Sequence, residues 1–231
     1  MAATPTYTGQ VCIPYLNSYV QTWAHLAVNG VQMELAVANH FTLVQFARNW
    51  LLKKFLDDES FTHLLWIDAD LGWDATAVLR MLERGKDVIC GVYPLKQKGE
   101  CTFPYVEELR PNEDGIQLAE RVPSGFMLCT REAMTKVAMS CRNYLFKHHG
   151  EQLMCPNVFD LVHDGIEIWG EDFVLCKRFR SLGIETWVEC NIDFQHIGLN
   201  AWNGNLVHRV ANGPLNQPLS NLPKGPSRSA A

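Results

Sequence analysis

Short apolar runs alternate with longer helical patterns along most of this chain, and this alternation constrains the fold more than any other feature. Apolar runs of strand length occupy residues 10–16, 62–67, 87–93, 124–130 and 184–190. Residues 41–57 instead repeat apolar side chains at the spacing of an amphipathic helix. Strands that alternate with helices pair in parallel and carry helices on both faces of their sheet. The sequence therefore predicts an α/β protein, a three-layer α/β/α sandwich around a mostly parallel central sheet.

Three further helices are expected from their start and stop signals. Asp74 is suited to cap a helix that would end at Gly85. Residues 131–141 follow an apolar run and are expected to be helical. A last helix is predicted over residues 171–182, because Gly183 then supplies a stop signal.

The remaining segments give weaker patterns. Residues 17–39 are ambiguous between helix and strand, and residues 96–122 are predicted to be a hairpin or a flexible insertion broken by prolines. Residues 142–168 are predicted to form mixed loops. We expect one catalytic domain over residues 1–213 and a proline-rich, mostly unstructured tail over residues 214–231.

Composition narrows the class of protein. The chain has 231 residues, of which 47% are hydrophobic and 19% charged, which is enough apolar content for one sizeable core. Its net charge of −5 gives no indication of nucleic-acid binding. No apolar stretch approaches the roughly 20 residues that cross a bilayer, and the first residues do not form a secretory signal. The eight cysteines are scattered without a C-x-x-C pair, which favours reduced thiols over disulfides or a zinc site. These features predict a cytoplasmic protein.

An acidic motif follows the second apolar run. Asp68 and Asp70 flank Ala69, and two side chains two residues apart in an extended segment point the same way. Carboxylates held close together either raise one pKa or recruit a cation. Oxygen ligands suit Mg²⁺ or Mn²⁺, which can bridge the oxygens of a diphosphate. The plainer interpretation is a solvated acidic turn in which Asp74 caps the next helix.

The segment HLLWIDADLGWD at residues 63–74, followed by DVICGVYPLK, resembles the D-x-D region of glycosyltransferase-A enzymes, especially small viral and bacterial members. Three further elements occur in the order of that family, namely SGFML at 124–128, GED at 170–172 and QHIG at 195–198. The resemblance covers roughly residues 10–200. It implies a glycosyltransferase-A fold, a nucleotide-sugar donor with UDP as the default nucleotide, and a Mn²⁺ or Mg²⁺ ion. If the source is viral, the expected location is the host cytoplasm.

The resemblance also assigns the donor side of the site. Asp68 and Asp70, with Ala69 between them, would hold the metal and the nucleotide diphosphate, and His196 would be a metal or phosphate ligand. Lys96 is a candidate phosphate or acceptor contact. A lone histidine is more often structural, so the assignment of His196 depends on the resemblance.

On the acceptor side, the resemblance implies that Ser124 and Gly125 line the donor-sugar or acceptor pocket. Asp172 would act as general base on the acceptor hydroxyl, as in inverting members, and Glu171 would orient the acceptor. Local physics offers plainer interpretations of both segments. Acidic residues in a first helical turn are favoured by the helix dipole, and a serine–glycine pair before a strand is often an ordinary turn.

The nucleotide contacts are expected near the first predicted strand and in the first predicted helix. Pro14, Tyr15 and Asn17 are candidates for nucleobase and ribose contact, although a buried tyrosine fits the sequence equally well. Arg48 and Asn49 match an Arg-Asn-like signature of the family, and the arginine would pair with the diphosphate or fix the base-binding loop. The alternative is a surface arginine on an amphipathic helix.

Two other functions remain open from the sequence. A haloacid-dehalogenase-like phosphotransferase or phosphatase also has D-x-D after an apolar strand, but usually near the N-terminus and with Thr or Val where Gly72 stands here. A non-catalytic sugar-nucleotide binding module is the other alternative. The acceptor is expected to be a glycan or another hydroxyl compound. The sequence does not exclude a modified DNA base as the acceptor. Only about 100 residues follow the predicted insertion, so the acceptor site would be compact or shared across a homodimer.

Overall fold

The computed structural model describes residues 1–97, 103–104, 110–163 and 165–208. Its helices are α1 (Ile13–Val28), α2 (Val44–Asp57), α3 (Ala77–Glu83), α4 (Arg131–Met139) and α5 (Glu171–Ser181). Its strands are β1 (Ala2–Pro5), β2 (Leu35–Ala38), β3 (His63–Ile67), β4 (Leu71–Trp73), β5 (Val88–Cys90), β6 (Ile116–Leu118), β7 (Phe126–Thr130), β8 (Asn143–His148), β9 (Glu151–Pro156), β10 (Val162–His163), β11 (Ile168–Trp169), β12 (Thr186–Glu189), β13 (Phe194–Ile197) and β14 (Ala201–Gly204).

The centre of the fold is a seven-stranded sheet with the order β2-β1-β3-β7-β5-β12-β6. Strand β1 pairs in parallel with β2 and β3, and β5 pairs in parallel with β12. Strand β7 runs antiparallel to both β3 and β5, and β6 runs antiparallel to β12. The α/β class is confirmed, but the sheet is mixed, because the described residues between β5 and β7 supply a strand and no helical crossover.

Each face of the central strands contributes to a separate core. Along β3, Leu64 and Trp66 belong to a cluster that also holds buried side chains of α2, α4 and α5. Leu65 and Ile67 belong to a second cluster with residues of α1 and α3. All four β3 side chains are at most 3% exposed. Burial on both faces explains why this strand appears in the sequence as a continuous apolar run.

The expected strand over residues 10–16 is wrong. The first strand lies earlier, at Ala2–Pro5, and α1 begins at Ile13. Pro14 occupies the first turn of α1, where a missing N–H is no loss and the fixed φ suits a helix. The Cys12 thiol accepts a hydrogen bond from the Tyr15 N–H and caps the helix.

The expected loop over residues 142–168 is also wrong. Strands β8 and β9 form a hairpin in which His148 pairs with Glu151. The two turn residues, His149 and Gly150, have φ values of 45° and 85°, the left-handed pair that a tight two-residue hairpin turn requires. A second short hairpin, β10–β11, follows.

Several predicted elements are confirmed. The predicted helix over residues 41–57 is α2, which begins at Val44, and the helices expected over 131–141 and 171–182 are α4 and α5. Asp74 is not the N-cap of α3, because Thr76 holds that position and donates its N–H to the Asp74 carboxylate. The predicted tail over residues 214–231 lies outside the described residues, as do parts of 96–122. Within the described residues, no helix is both long and apolar enough to cross a bilayer.

Candidate active site

An open cleft of about 600 Å³ lies where β1 and β3 end. Its walls include six residues that the sequence singled out, namely Arg48, Asp68, Ala69, Asp70, Glu171 and Asp172. In open α/β sheets, ligands bind outside the carboxyl ends of the strands. Pockets of about 300–1,000 Å³ are typical of small-molecule sites, so the cleft has the place and size of a ligand site.

Asp68 is held by a buried arginine. Arg48 Nη2 donates to Asp68 Oδ1 at 2.8 Å, and the Arg48 side chain is only 3% exposed. The guanidinium lies 5.6 Å from the ring centres of both Trp66 and Phe159. Burial alone would lower the pKa of Arg48, but the nearby carboxylates of Asp68, Asp172 and Glu171 raise it overall. Arg48 is therefore a fixed cation behind the acidic loop, and not the surface arginine of the plainer interpretation.

Gly125 allows the acidic loop to lie close to the start of β7. The Asp68 N–H donates to the Gly125 carbonyl at 2.8 Å. A Cβ atom at position 125 would overlap Asp68 Oδ2 and the Tyr93 hydroxyl. That hydroxyl also donates to Asp68 Oδ2 at 3.3 Å. A glycine is thus required here by close approach of the backbone to the Asp68 carboxylate.

Asp70 faces two basic side chains. The Lys96 ammonium donates to Asp70 Oδ2, and His196 Nε2 lies 3.6 Å from the same oxygen. Burial would raise the pKa of Asp70, but hydrogen bonds from His196 and Lys96 lower it overall. Antiparallel pairing of β13 with β4 places His196 opposite Leu71, next to Asp70. Residues 126 positions apart in the sequence therefore meet at one carboxylate.

A divalent metal at Asp70 would find two candidate protein ligands, Asp70 and His196. His196 Nδ1 lies 2.7 Å from the Pro94 carbonyl oxygen. A carbonyl can only accept, so Nδ1 carries a hydrogen, and Nε2 is the ring nitrogen that would bind a metal ion in place of its contact with Asp70. No group of three or more His, Cys, Asp or Glu side chains able to hold a metal occurs among the described residues. The protein would thus supply two ligands, and Mg²⁺ and Mn²⁺ commonly take the rest from substrate phosphates and water.

Asp172 lies at the start of α5 and also lines the cleft. Its Oδ1 accepts a hydrogen bond from the Ser124 hydroxyl. Burial is the main cause that raises the pKa of Asp172 to about 6, opposed by the charge of Arg48 and supported by the charge of Glu171. A carboxyl with this pKa can take up and release a proton near neutral pH.

Four predicted nucleotide contacts lie away from the cleft. Tyr15 is 1% exposed and shares a hydrogen bond of 2.6 Å with Thr4, so its ring cannot stack on a nucleobase. Asn49 is fully buried, where it accepts from the N–H groups of residues 158 and 159 and donates to the Phe159 carbonyl. Pro14 packs against Gly72, and Asn17 is exposed on α1. The misplaced first strand explains why positions 14, 15 and 17 do not line the cleft.

The sequence reasoning missed the residues that follow the true first strand. Thr6, Tyr7, Thr8 and Gln10 line the cleft, and Tyr7 is 72% exposed. Recognition of β1 at residues 2–5 would have placed them at the carboxyl end of a strand. Tyr93 was also missed, and no local pattern marks it, because its contact with Asp68 depends on the fold.

No family model matches this chain, and no curated protein matches its sequence. Among solved structures, the chain is similar to A197 from STIV, with a TM-score of 0.54, 18% identity and 85% of each chain covered. A glycosyltransferase involved in the glycosylation of the major capsid of PBCV-1 gives a TM-score of 0.34 at 12% identity, over 60% of this chain and 65% of that one. The second similarity is too low to support an argument, and the first concerns the fold alone. The overall fold is therefore shared with A197 from STIV.

Proposed function

We propose that this chain is a metal-dependent glycosyltransferase that moves a sugar from a nucleotide-sugar, most simply a UDP-sugar, to a hydroxyl acceptor with inversion. One observation carries the proposal. The four motifs of the family resemblance span residues 68 to 196 in the sequence, yet two of them line one cleft and the other two contact these residues directly. Gly125 packs on Asp68, Ser124 bonds to Asp172, and His196 reaches the Asp70 carboxylate.

The donor side of the cleft would bind the diphosphate. Asp70 and His196 would hold the divalent ion, which would supply positive charge to neutralise a departing nucleoside diphosphate. Lys96 adds a further cation at the same carboxylate. Arg48 keeps Asp68 in place from behind. Thr6, Tyr7, Thr8 and Gln10 lie along the same cleft and are available to the nucleoside.

The acceptor side would carry out the proton transfer. The acceptor hydroxyl attacks the anomeric carbon, its proton passes to the Asp172 carboxylate, and the nucleoside diphosphate leaves with the bond electrons. Ser124 orients the Asp172 carboxylate through its hydroxyl. With a pKa of about 6, Asp172 is ionised at pH 7 and above, yet it is a stronger base than an ordinary aspartate.

The geometry is less favourable to a phosphotransferase. That chemistry needs the first aspartate of the motif as a free nucleophile. Asp68 Oδ1 is bound by Arg48, and Oδ2 faces the Tyr93 hydroxyl and the backbone at Gly125. A non-catalytic binding module would share the donor side of the cleft but would have no use for the raised pKa of Asp172.

Thermal unfolding with UDP-sugars and GDP-sugars, each with and without Mn²⁺, tests the donor site. A ligand at 100 times its dissociation constant stabilises a fold by about 2.7 kcal/mol. We expect metal-dependent stabilisation by one nucleotide-sugar, lost in Asp70→Asn. Asp57→Asn is the matched control, because that side chain is half exposed on α2 and pairs with Lys53. No stabilisation by any nucleotide-sugar, or equal stabilisation of both variants, would contradict the proposal.

A further inference from the structure

The first 33 residues contain no Asp, Glu, Lys or Arg, although these residues make up 19% of the whole chain. At that frequency a segment of this length would carry about six charged side chains. The segment is not buried. It includes α1, which lies at the surface and exposes several large apolar side chains. A surface without charge is unusual for a soluble domain, because exposed positions are where charged residues normally lie.

Helix α1 has two faces. Its inner face buries Tyr15, Ser18, Thr22 and Leu26. Its outer face carries a row that we call the α1 stripe, formed by Ile13, Leu16, Val20 and Trp23, which are 69%, 48%, 54% and 51% exposed. These positions are separated by three, four and three residues, the spacing of a helix that packs along its length against another helix. No described residue covers this outer apolar face.

The exposed apolar surface continues onto the edge of the sheet. Strand β2 is the outermost strand, and its Leu35 and Val37 are 40% and 47% exposed. The alternate residues Ala36 and Ala38 pack in the core cluster beneath α2, so Leu35 and Val37 point to the α1 side of the sheet. Helix α1 ends at Val28 and β2 begins at Leu35, so a short connection joins the two elements. The α1 stripe and this strand therefore border one surface.

We propose that this surface is the interface of a homodimer, in which the α1 stripe of one chain packs against the same surface of a second copy. In a two-fold contact each surface meets its own image, so any charge near the axis would face its own like charge. The α1 stripe carries no charged side chain, so it can meet its own image without this repulsion. Helices that bind membrane surfaces usually carry Lys and Arg on their polar face, and α1 has neither.

The area of the surface limits the affinity that the dimer can reach. A helix of 16 residues is about 24 Å long at a rise of 1.5 Å per residue. A strip of this length and one helix wide, about 240 Å², is well below the roughly 800 Å² per partner of a stable interface. Leu35, Val37 and neighbouring uncharged residues must therefore contribute. We expect a dimer that forms in the micromolar range and dissociates on dilution.

Analytical ultracentrifugation of the full chain without substrate tests this inference, from low micromolar to several hundred micromolar protein. The expected mass rises from 26.2 kDa towards twice that value. Leu16→Glu and Trp23→Glu should each raise the dimer dissociation constant at least tenfold, because each places a like charge on both sides of the interface. Met139→Glu is the matched control, since Met139 is 82% exposed on α4 and lies outside the surface. Circular dichroism of each variant verifies that it is folded.

Three outcomes would overturn the inference. The wild-type chain could remain a monomer at every concentration, or it could dimerise equally well in both glutamate variants. The chain without residues 209–231 could dimerise while the full chain does not, which would show that this segment covers the surface. None of these outcomes bears on donor binding, so the inference and the proposed function fail independently.

Discussion

At the scale of single residues, the cleft holds two carboxyl groups whose pKa values are displaced in opposite directions. Hydrogen bonds from His196 and Lys96 lower the pKa of Asp70 despite burial, whereas burial raises the pKa of Asp172 to about 6. Pairs of acids pushed apart in this way commonly divide the work of charge binding and proton transfer. Asp70 is thus suited to hold a cation and Asp172 to accept a proton.

The Asp172→Asn variant should keep the donor site and lose turnover. Removing a general base typically costs on the order of 10²–10⁴-fold in rate. In the wild-type chain, activity should rise as the pH passes through about 6, because burial raises the pKa of Asp172 to about this value and the base must be ionised. A pH profile of sugar transfer without an acid limb near that value would remove Asp172 from the base role.

The same group makes stability depend on pH. The folded-state pKa of Asp172, about 6, lies above its ordinary value of 3.8. The folded state therefore binds this proton more tightly than the unfolded chain does. The stabilisation is fully present below about pH 3.8 and is lost as the pH rises through about 6. Urea unfolding across this window should show the dependence in the wild-type chain and a weaker one in Asp172→Asn.

At the scale of elements, the site depends on how closely the acidic loop after β3 approaches the start of β7. These strands pair antiparallel from His63–Thr130 to Ile67–Phe126, so the loop and Gly125 lie side by side. The distance between them leaves no room for a side chain at position 125. The register of two neighbouring strands thus determines where the Asp68 carboxylate lies.

Gly125→Ala should therefore disturb both binding and folding. The added methyl group must displace Asp68 or Tyr93, and overpacking of this kind typically costs about 1–3 kcal/mol of unfolding free energy. We expect weaker nucleotide-sugar stabilisation in thermal unfolding as well. Gly30→Asn is a suitable control, because that position opens to solvent and asparagine tolerates its φ of 74°. Unchanged stability and binding in Gly125→Ala would show that the loop is softer than the packing indicates.

The elements that could be predicted are those whose pattern is local. Strands β3 and β7 are apolar on both faces, and α5 has an acidic first turn and a glycine stop, so each carries its own signal. Strand β1 has only four residues, most of them small, and the β8–β9 hairpin turns at His149-Gly150 instead of Asn-Gly. Neither element therefore has a clear local pattern. Helix α1 was ambiguous because Ser18 and Thr22 occupy its inner face, where both bond to Trp73.

The candidate site divides in the same way. Asp68, Asp70, Asp172 and His196 stand in recognisable motifs, and the sequence predicted them. The partner of Asp68 could not be predicted with its geometry, because Arg48 reaches it from another element through the core.

At the scale of the whole molecule, the central strands hold the site while the hairpins lie outside the main sheet. Strands β3 and β7 are paired on both sides and buried on both faces, whereas β10 and β11 pair only with each other and are mostly exposed. Amide protection follows such differences in burial and pairing. The floor of the cleft should therefore be the most stable part of the fold.

Hydrogen exchange should reveal this order. Amides of β3 and β7 should exchange only through global unfolding, and amides of β10–β11 should exchange by local opening, many times faster. Mass spectrometry of peptides from residues 63–67, 126–130 and 162–169 measures this directly. Equal protection of the three peptides would show that the second hairpin is anchored as firmly as the sheet.

The pair of Arg48 and Asp68 also limits how this sequence can change over generations. Losing one partner of a buried ion pair typically costs about 3–5 kcal/mol, whereas replacing both by apolar groups can be neutral. Arg48 is only 3% exposed and packs against two aromatic rings, so losing its partner would leave a buried charge unpaired. The two positions, twenty residues apart, should therefore change together during evolution. A substitution that removes Asp68 should be accompanied by a substitution of Arg48 in α2.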